Sequence, residues 1–233
     1  MTSAFEDAVV CWHMADVYDS SGLASLVPRG RARVGMPLSE TAARESKRRG
    51  GNGSDTRLTG GWLEVDRTCA GATALTGQSM SLCLRVAAVE GTRGFKPCTL
   101  MSRGEGDRLS YRLAIEEGRL FFHLGVSSTA RPASRAPEGL FEISVPIGMI
   151  ETAGWLDIIV RFCGARIELF VDGALVDEEW PLGEIRHSAA PCLIGLPASG
   201  KPGDSGGILV DHLALWRRPL SDADILQRGG GTA

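Results

Sequence analysis

Arg112 and His123 are the residues whose types and placement most suggest binding chemistry, because both lie in short alternating segments that also carry Phe121. Hydrogen-bond donors beside an aromatic ring are the combination with which proteins hold small hydroxylated molecules: the ring covers an apolar face and the donors orient the hydroxyls. Trp62, following Gly60 and Gly61, and Trp180, preceding Pro181, stand next to turns and are two further rings that can face water. Nucleophilic chemistry would need a serine or cysteine beside a base, but His13, His123, His187 and His212 fall in four different segments and no Gly-x-Ser-x-Gly elbow occurs. The six cysteines are scattered without a CxxC pair and mostly lie in apolar runs, so they read as reduced, buried small hydrophobes rather than zinc ligands.

The elements that must position these groups are strands. Leu109–Ile115 and Arg119–Leu124 alternate with period two around Glu116, Glu117 and Gly118, which predicts a hairpin with Ile115 facing Leu120, Leu113 facing Phe122 and Tyr111 facing Leu124. One face is then apolar core. The other carries Arg112 directly opposite His123, with Ala114 and Phe121 beside them; the plainer reading of that face is a covered sheet surface with a snorkelling arginine. A second hairpin pairs Ile158, Val160 and Phe162 with Ile167, Leu169 and Val171, and sets Arg161 against Glu168 on its outer side. Ile159 and Phe170 share that outer side, so something must cover them.

Further strands are expected at 8–14, 62–65, 79–86, 99–102, 141–145, 192–195 and 208–216, with a two-turn helix capped by Ser221 near the end. Trp12, Trp155 and Trp216 lie in such strands and read as buried. The segment from Leu38 to Gly61, with Arg44, Lys47, Arg48, Arg49 and Arg57 around its glycines, reads as a solvated loop. Many short strands punctuated by glycine, 30 in 233 residues, with almost no helix, are the signature of an all-β antiparallel sandwich with a short C-terminal helix. Residues 1–228 form one such domain, and 229–233 a tail or the start of a linker.

Composition narrows the partners. A net charge of −3 lacks the basic footprint of a nucleic-acid binder. No run approaches the roughly 20 apolar residues of a membrane helix, and no secretory leader is visible at the N-terminus, so a cytoplasmic, membrane-free protein is expected.

Four segments in order resemble the LamG-like jelly-roll domains of the concanavalin A-like lectin and glucanase superfamily. These are Val10–Met14 with Asp19–Gly22, Gly154–Phe162, Glu168–Gly173 and Ile208–Ile225, together spanning nearly the whole chain. The chain is also similar to jelly-roll modules that precede a five-bladed propeller in bacterial enzymes related to fructan-cleaving glycosidases, although it holds no propeller itself. The resemblance implies two large sheets, one curved, with an oligo- or polysaccharide bound on the concave face or its rim. It also implies a structural calcium ion, for which Asp16, Asp19 and Asp211 occupy the corresponding neighbourhoods; Ca2+ takes six to eight oxygens. Here Cys11–Asp16 replaces the commoner Trp-x-Phe-Asp-Glu of such domains.

A retaining glucanase of that superfamily would carry Glu-x-Asp-x-x-Glu on one strand, which projects its carboxylates from one face about 5–5.5 Å apart. The nearest segment, Glu64-Val65-Asp66-Arg67-Thr68-Cys69, ends in cysteine where the acid belongs. Asp177, Glu178 and Glu179 are consecutive, so in a strand their neighbours diverge, and they read as a solvated turn. The expectation is therefore a non-catalytic, lectin-like carbohydrate-binding or accessory module, with Arg112, Phe121, His123, Trp180 and Trp62 as its sugar-contacting residues. The alternatives are an auxiliary domain for a separate glycoside hydrolase catalytic domain, or a glycoside hydrolase with an unfamiliar site.

Overall fold

The computed structural model describes residues 7–20, 22–37, 54–89, 95–127, 139–149, 154–197 and 207–228. In chain order its strands are β1 (Val10–Trp12), β2 (Leu26–Gly30), β3 (Arg33–Pro37), β4 (Ser54–Leu58), β5 (Gly61–Val65), β6 (Met80–Ala88), β7 (Cys98–Arg103) and β8 (Tyr111–Glu116). There follow β9 (Arg119–Ser127), β10 (Gly139–Pro146), β11 (Leu156–Phe162), β12 (Ile167–Val171), β13 (Ala174–Glu179), β14 (Glu184–Ile185), β15 (Cys192–Pro197), β16 (Ile208–Trp216) and the helix α1 (Asp222–Arg228). They build two antiparallel eight-stranded sheets. The first runs β13-β12-β11-β6-β16-β4-β3, with β1 also on β16; the second runs β10-β9-β8-β7-β15-β5-β2, with β14 also on β9. No helix among the described residues is long and apolar enough to cross a membrane.

Alternation explains the core. Leu82, Leu84, Ile158, Val160, Leu169 and Leu213 of the first sheet point at Leu113, Ile115, Leu120, Phe122, Leu124 and Ile194 of the second, in one continuous buried cluster. The β8–β9 hairpin closes on Glu117 and Gly118 with φ of 49° and 73°, the left-handed pair that a two-residue turn of matching twist needs. That turn fixes Tyr111 opposite Leu124 and Arg112 opposite His123, as expected. A one-residue slip would bury Arg112 and expose Phe122.

The outward Ile159 and Phe170 are covered by the C-terminal segment. They form a second buried cluster with Cys11, Cys83, Trp216, Leu220 and Ile225 of α1. Ser221 caps the helix: its Oγ accepts from the Asp224 N–H at 3.1 Å while Asp224 Oδ2 accepts from the Ser221 N–H at 3.1 Å. Arg161 binds this lid to the sheet, donating to Glu168 at 2.6 Å, to the Leu220 carbonyl at 2.9 Å and to Asp222 at 2.6 Å. Trp155 and Trp216 are buried, but against the outer surface of the first sheet rather than between the sheets, where Trp12 lies.

Five strands were not anticipated: β2, β3, β4, β13 and β14. The expected loop over 38–61 contains β4 and the start of β5, while 38–53, with Arg44, Lys47, Arg48 and Arg49, lies outside the described residues, as does the 229–233 tail. Asp177, Glu178 and Glu179 belong to edge strand β13 rather than to a turn.

Candidate functional site

The outer face of the second sheet is built from one row of residues that runs across seven strands. Register places Val27 beside Glu64, Glu64 beside Leu193, Leu193 beside Ser102, Ser102 beside Arg112, Arg112 beside His123, and His123 beside Glu142. Each is outward because its chain neighbours, such as Leu63, Leu113 and Phe122, are core.

At the β8–β10 end the row becomes a supported polar cluster. Arg112 donates from Nε to Thr99 Oγ1 at 3.2 Å and from Nη2 to Glu116, and its guanidinium lies 5.3 Å from the Phe121 ring centre. The His123 ring packs on the same phenyl group, with centroids 4.8 Å apart, and its Nε2 lies 2.6 Å from Glu142 Oε2. Phe121 is only 8% exposed, so it is a floor beneath the arginine and imidazole rather than an open stacking platform. Water meets the polar rim: Arg112 and His123 side chains are 26% and 17% exposed, Glu116 and Glu142 32% and 55%.

Trp62 is half-buried on the same face, on β5, four strand spacings or about 19 Å from β9. Beside it Glu64 accepts from Arg29 at 3.1 Å and lies 3.5 Å from Arg67. Trp180 is elsewhere: it follows β13 at an edge of the first sheet and is 60% exposed. The fold therefore gathers Arg112, Phe121, His123 and, more distantly, Trp62 on one sheet face and puts Trp180 on the other sheet, just past β13.

Each of the three expected calcium ligands has a protein partner. Asp16 Oδ1 accepts from the Tyr18 N–H at 2.8 Å, and Asp19 Oδ1 accepts from the Leu23 N–H at 3.3 Å across its own turn. Asp211 lies 3.5 Å from the buried Arg85 guanidinium, which it shares with Asp157. Among the described residues no three His, Cys, Asp or Glu side chains stand at metal-ligand spacing.

The outer face of the first sheet holds a constellation that alternation alone does not reveal. A bulge between Val210 and His212 turns both Asp211 and His212 outward opposite Arg85, which sits 3.6 Å from Asp157. His212 Nε2 lies 3.6 Å from Cys83 Sγ, and its Nδ1 lies 3.8 Å from Asp211 Oδ2. Burial disfavours the imidazolium, but Asp211 and the Cys83 sulfur outweigh it and raise the His212 pKa to about 9. Cysteine, histidine and aspartate in that order have the sequence of a nucleophile, base and orienting group. Cys83, however, is wholly buried in the cluster of Ile159, Phe170, Trp216 and Ile225, where no substrate reaches its sulfur.

The acidic segments have structural partners. Asp66 Oδ1 accepts from the Thr68 N–H at 2.8 Å, capping a short helical turn, and Asp177 Oδ2 accepts from the Ser144 N–H at 2.7 Å, joining β13 to β10. All six cysteines are free thiols, and burial pushes Cys11, Cys98 and Cys192 up to about 12.

These features define a two-sheet antiparallel β-sandwich with a paired polar face and a helical lid. Its fold is shared with bacterial toxin binding domains. The receptor-binding domain of botulinum neurotoxin mosaic serotype C/D matches with a TM-score of 0.66 at 13% identity, over 96% of this chain and 51% of that one. The binding domain of Paraclostridial Mosquitocidal Protein 1 matches with a TM-score of 0.70 at 12% identity, over 97% and 52%. The binding domain of botulinum neurotoxin DC in complex with SialylT matches with a TM-score of 0.63 at 15% identity, over 96% and 51%. The chain thus spans about half the length of these structures. No protein-family model and no curated protein matches the sequence.

Proposed function

We propose that this chain is a non-catalytic saccharide-binding module of LamG-like type, and that it binds through the outer face of its second sheet around Arg112 and His123. The observation that carries the reading is the cross-strand Arg112–His123 pair, held on Phe121 and braced by Glu116, Thr99 and Glu142 while its rim stays open to water. Side chains locked in this way present directed hydrogen-bonding groups with little entropy left to lose on binding. The structural neighbours support a binding role, being described as receptor-binding domains and, in one case, as a complex with SialylT. Because the chain spans half of those structures, a second reading is an accessory unit that works packed against a further domain. The resemblance to modules of sugar-cleaving enzymes makes a glycoside hydrolase catalytic domain the partner to test.

Binding of the purified chain to a glycan array tests the first reading. Arg112→Ala combined with His123→Ala should abolish retention while unfolding free energy changes by no more than about 1–2 kcal/mol, the scale of part-exposed polar contacts. Undiminished binding by the double variant would exclude this face.

A further inference from the structure

We infer that the Arg112–His123 face selects neutral oligosaccharides over glycans carrying carboxylate or sulfate groups. This rests on the saccharide-binding reading and concerns what that surface accepts. Every described arginine whose contacts line the face is already held by a protein acceptor. Arg112 is taken by Glu116 and Thr99, Arg119 by Ser144 Oγ at 2.8 Å, and Arg29 and Arg67 by Glu64. His123 is likewise engaged with Glu142. At Arg112 and His123 themselves an anionic sugar would have to displace the Glu116 or Glu142 carboxylate from a bond already made, exchanging one carboxylate partner for another without gain.

Access adds to this preference. Glu142 is 55% exposed against 17% for His123, and Glu116 is 32% exposed against 26% for Arg112. A ligand arriving from water meets the carboxylates at least as soon as the Arg112 and His123 side chains they hold. Carboxylates have lone pairs left after one hydrogen bond and accept from sugar hydroxyls, which have protons to give, whereas an acidic group is repelled and forces their desolvation. Between the Glu64 and Arg112 ends the row passes through Leu193 and Ser102, which carry no charge. A chain laid across the strands toward Trp62 therefore crosses an uncharged stretch, and the roughly 19 Å span fits an oligomer rather than a single ring.

The test is retention of the full chain, and of its Arg112→Ala/His123→Ala variant, on matched sets of neutral, sialylated, uronate-containing and sulfated oligosaccharides at 0.05 M and 0.5 M NaCl. Circular dichroism confirms that the variant is folded. The expected result is neutral glycans retained by the native chain, lost by the variant, and changed less than about twofold by salt, since no net ion pair forms. Acidic glycans retained in an Arg112- and His123-dependent way, with about tenfold or greater loss at high salt, would overturn the selectivity and leave the binding face standing. If no glycan depended on these two residues, the binding reading itself would fall, and the selectivity with it.

Discussion

Asp55 on β4 is 1% exposed, and neither of its carboxylate oxygens has a hydrogen-bond partner among the described residues. Burial pushes its pKa up to about 6; Arg57 pulls the other way, and Asp211 on the adjacent strand adds to the rise. An acid with a raised folded pKa loses stability as pH climbs, because the unfolded chain ionises first, near the ordinary value of 3.8. The loss runs between roughly pH 3.8 and 6 and amounts to about 3 kcal/mol for this group alone. Asp55→Asn removes the titration, so its unfolding free energy should vary less with pH than that of the native chain across this window. Parallel pH profiles in chemical denaturation would show that Asp55 ionises freely. The polar atoms of Arg85 lie in the same region, between Asp157 and Asp211 at 3.6 and 3.5 Å, so the outer face of the first sheet concentrates buried charge.

At the scale of elements, α1 and the segment before it act as a lid, and Arg161 is its rivet. Its partner Glu168 is almost wholly buried, so Arg161→Ala leaves that carboxylate with only the half-exposed Arg166, 3.0 Å away. The expected cost is about 2–4 kcal/mol of unfolding free energy, measured by denaturant titration, with faster hydrogen exchange in α1. A change below about 0.5 kcal/mol would mean that Ile225 and Leu220 hold the lid by apolar contact alone. Where alternation is long and clean, as in β8, β9, β11 and β12, the sequence made strand, register and outward pairs legible, including Arg112 opposite His123 and Arg161 opposite Glu168. It did not announce β2, β3 and β4, which are five residues each and carry arginine, proline or glycine rather than an apolar repeat. Pro28 and Pro37 are tolerated because β2 and β3 are the outermost strands of their sheets, where a missing N–H breaks no ladder. The meeting of Cys83, His212 and Asp211 depends on one bulged residue, and strict period two would have sent Asp211 and His212 to opposite faces.

At the scale of the whole molecule, the two sheets have different outer surfaces. The first is sealed by apolar clusters and α1, with its charges buried beneath them. The second carries its paired polar groups partly open, from Arg29 and Glu64 across to His123 and Glu142. A ligand that needs open polar groups on a rigid frame is therefore matched by the second sheet. Backbone amide chemical shifts of the isotope-labelled chain, followed while a neutral oligosaccharide retained on an array is titrated in, locate the contact directly. Perturbations concentrated at Thr99, Ser102, Arg112, His123 and Glu142, saturating together and extending toward Trp62, are the predicted result. Shifts confined to the first sheet, or to the neighbourhood of Trp180, would contradict it.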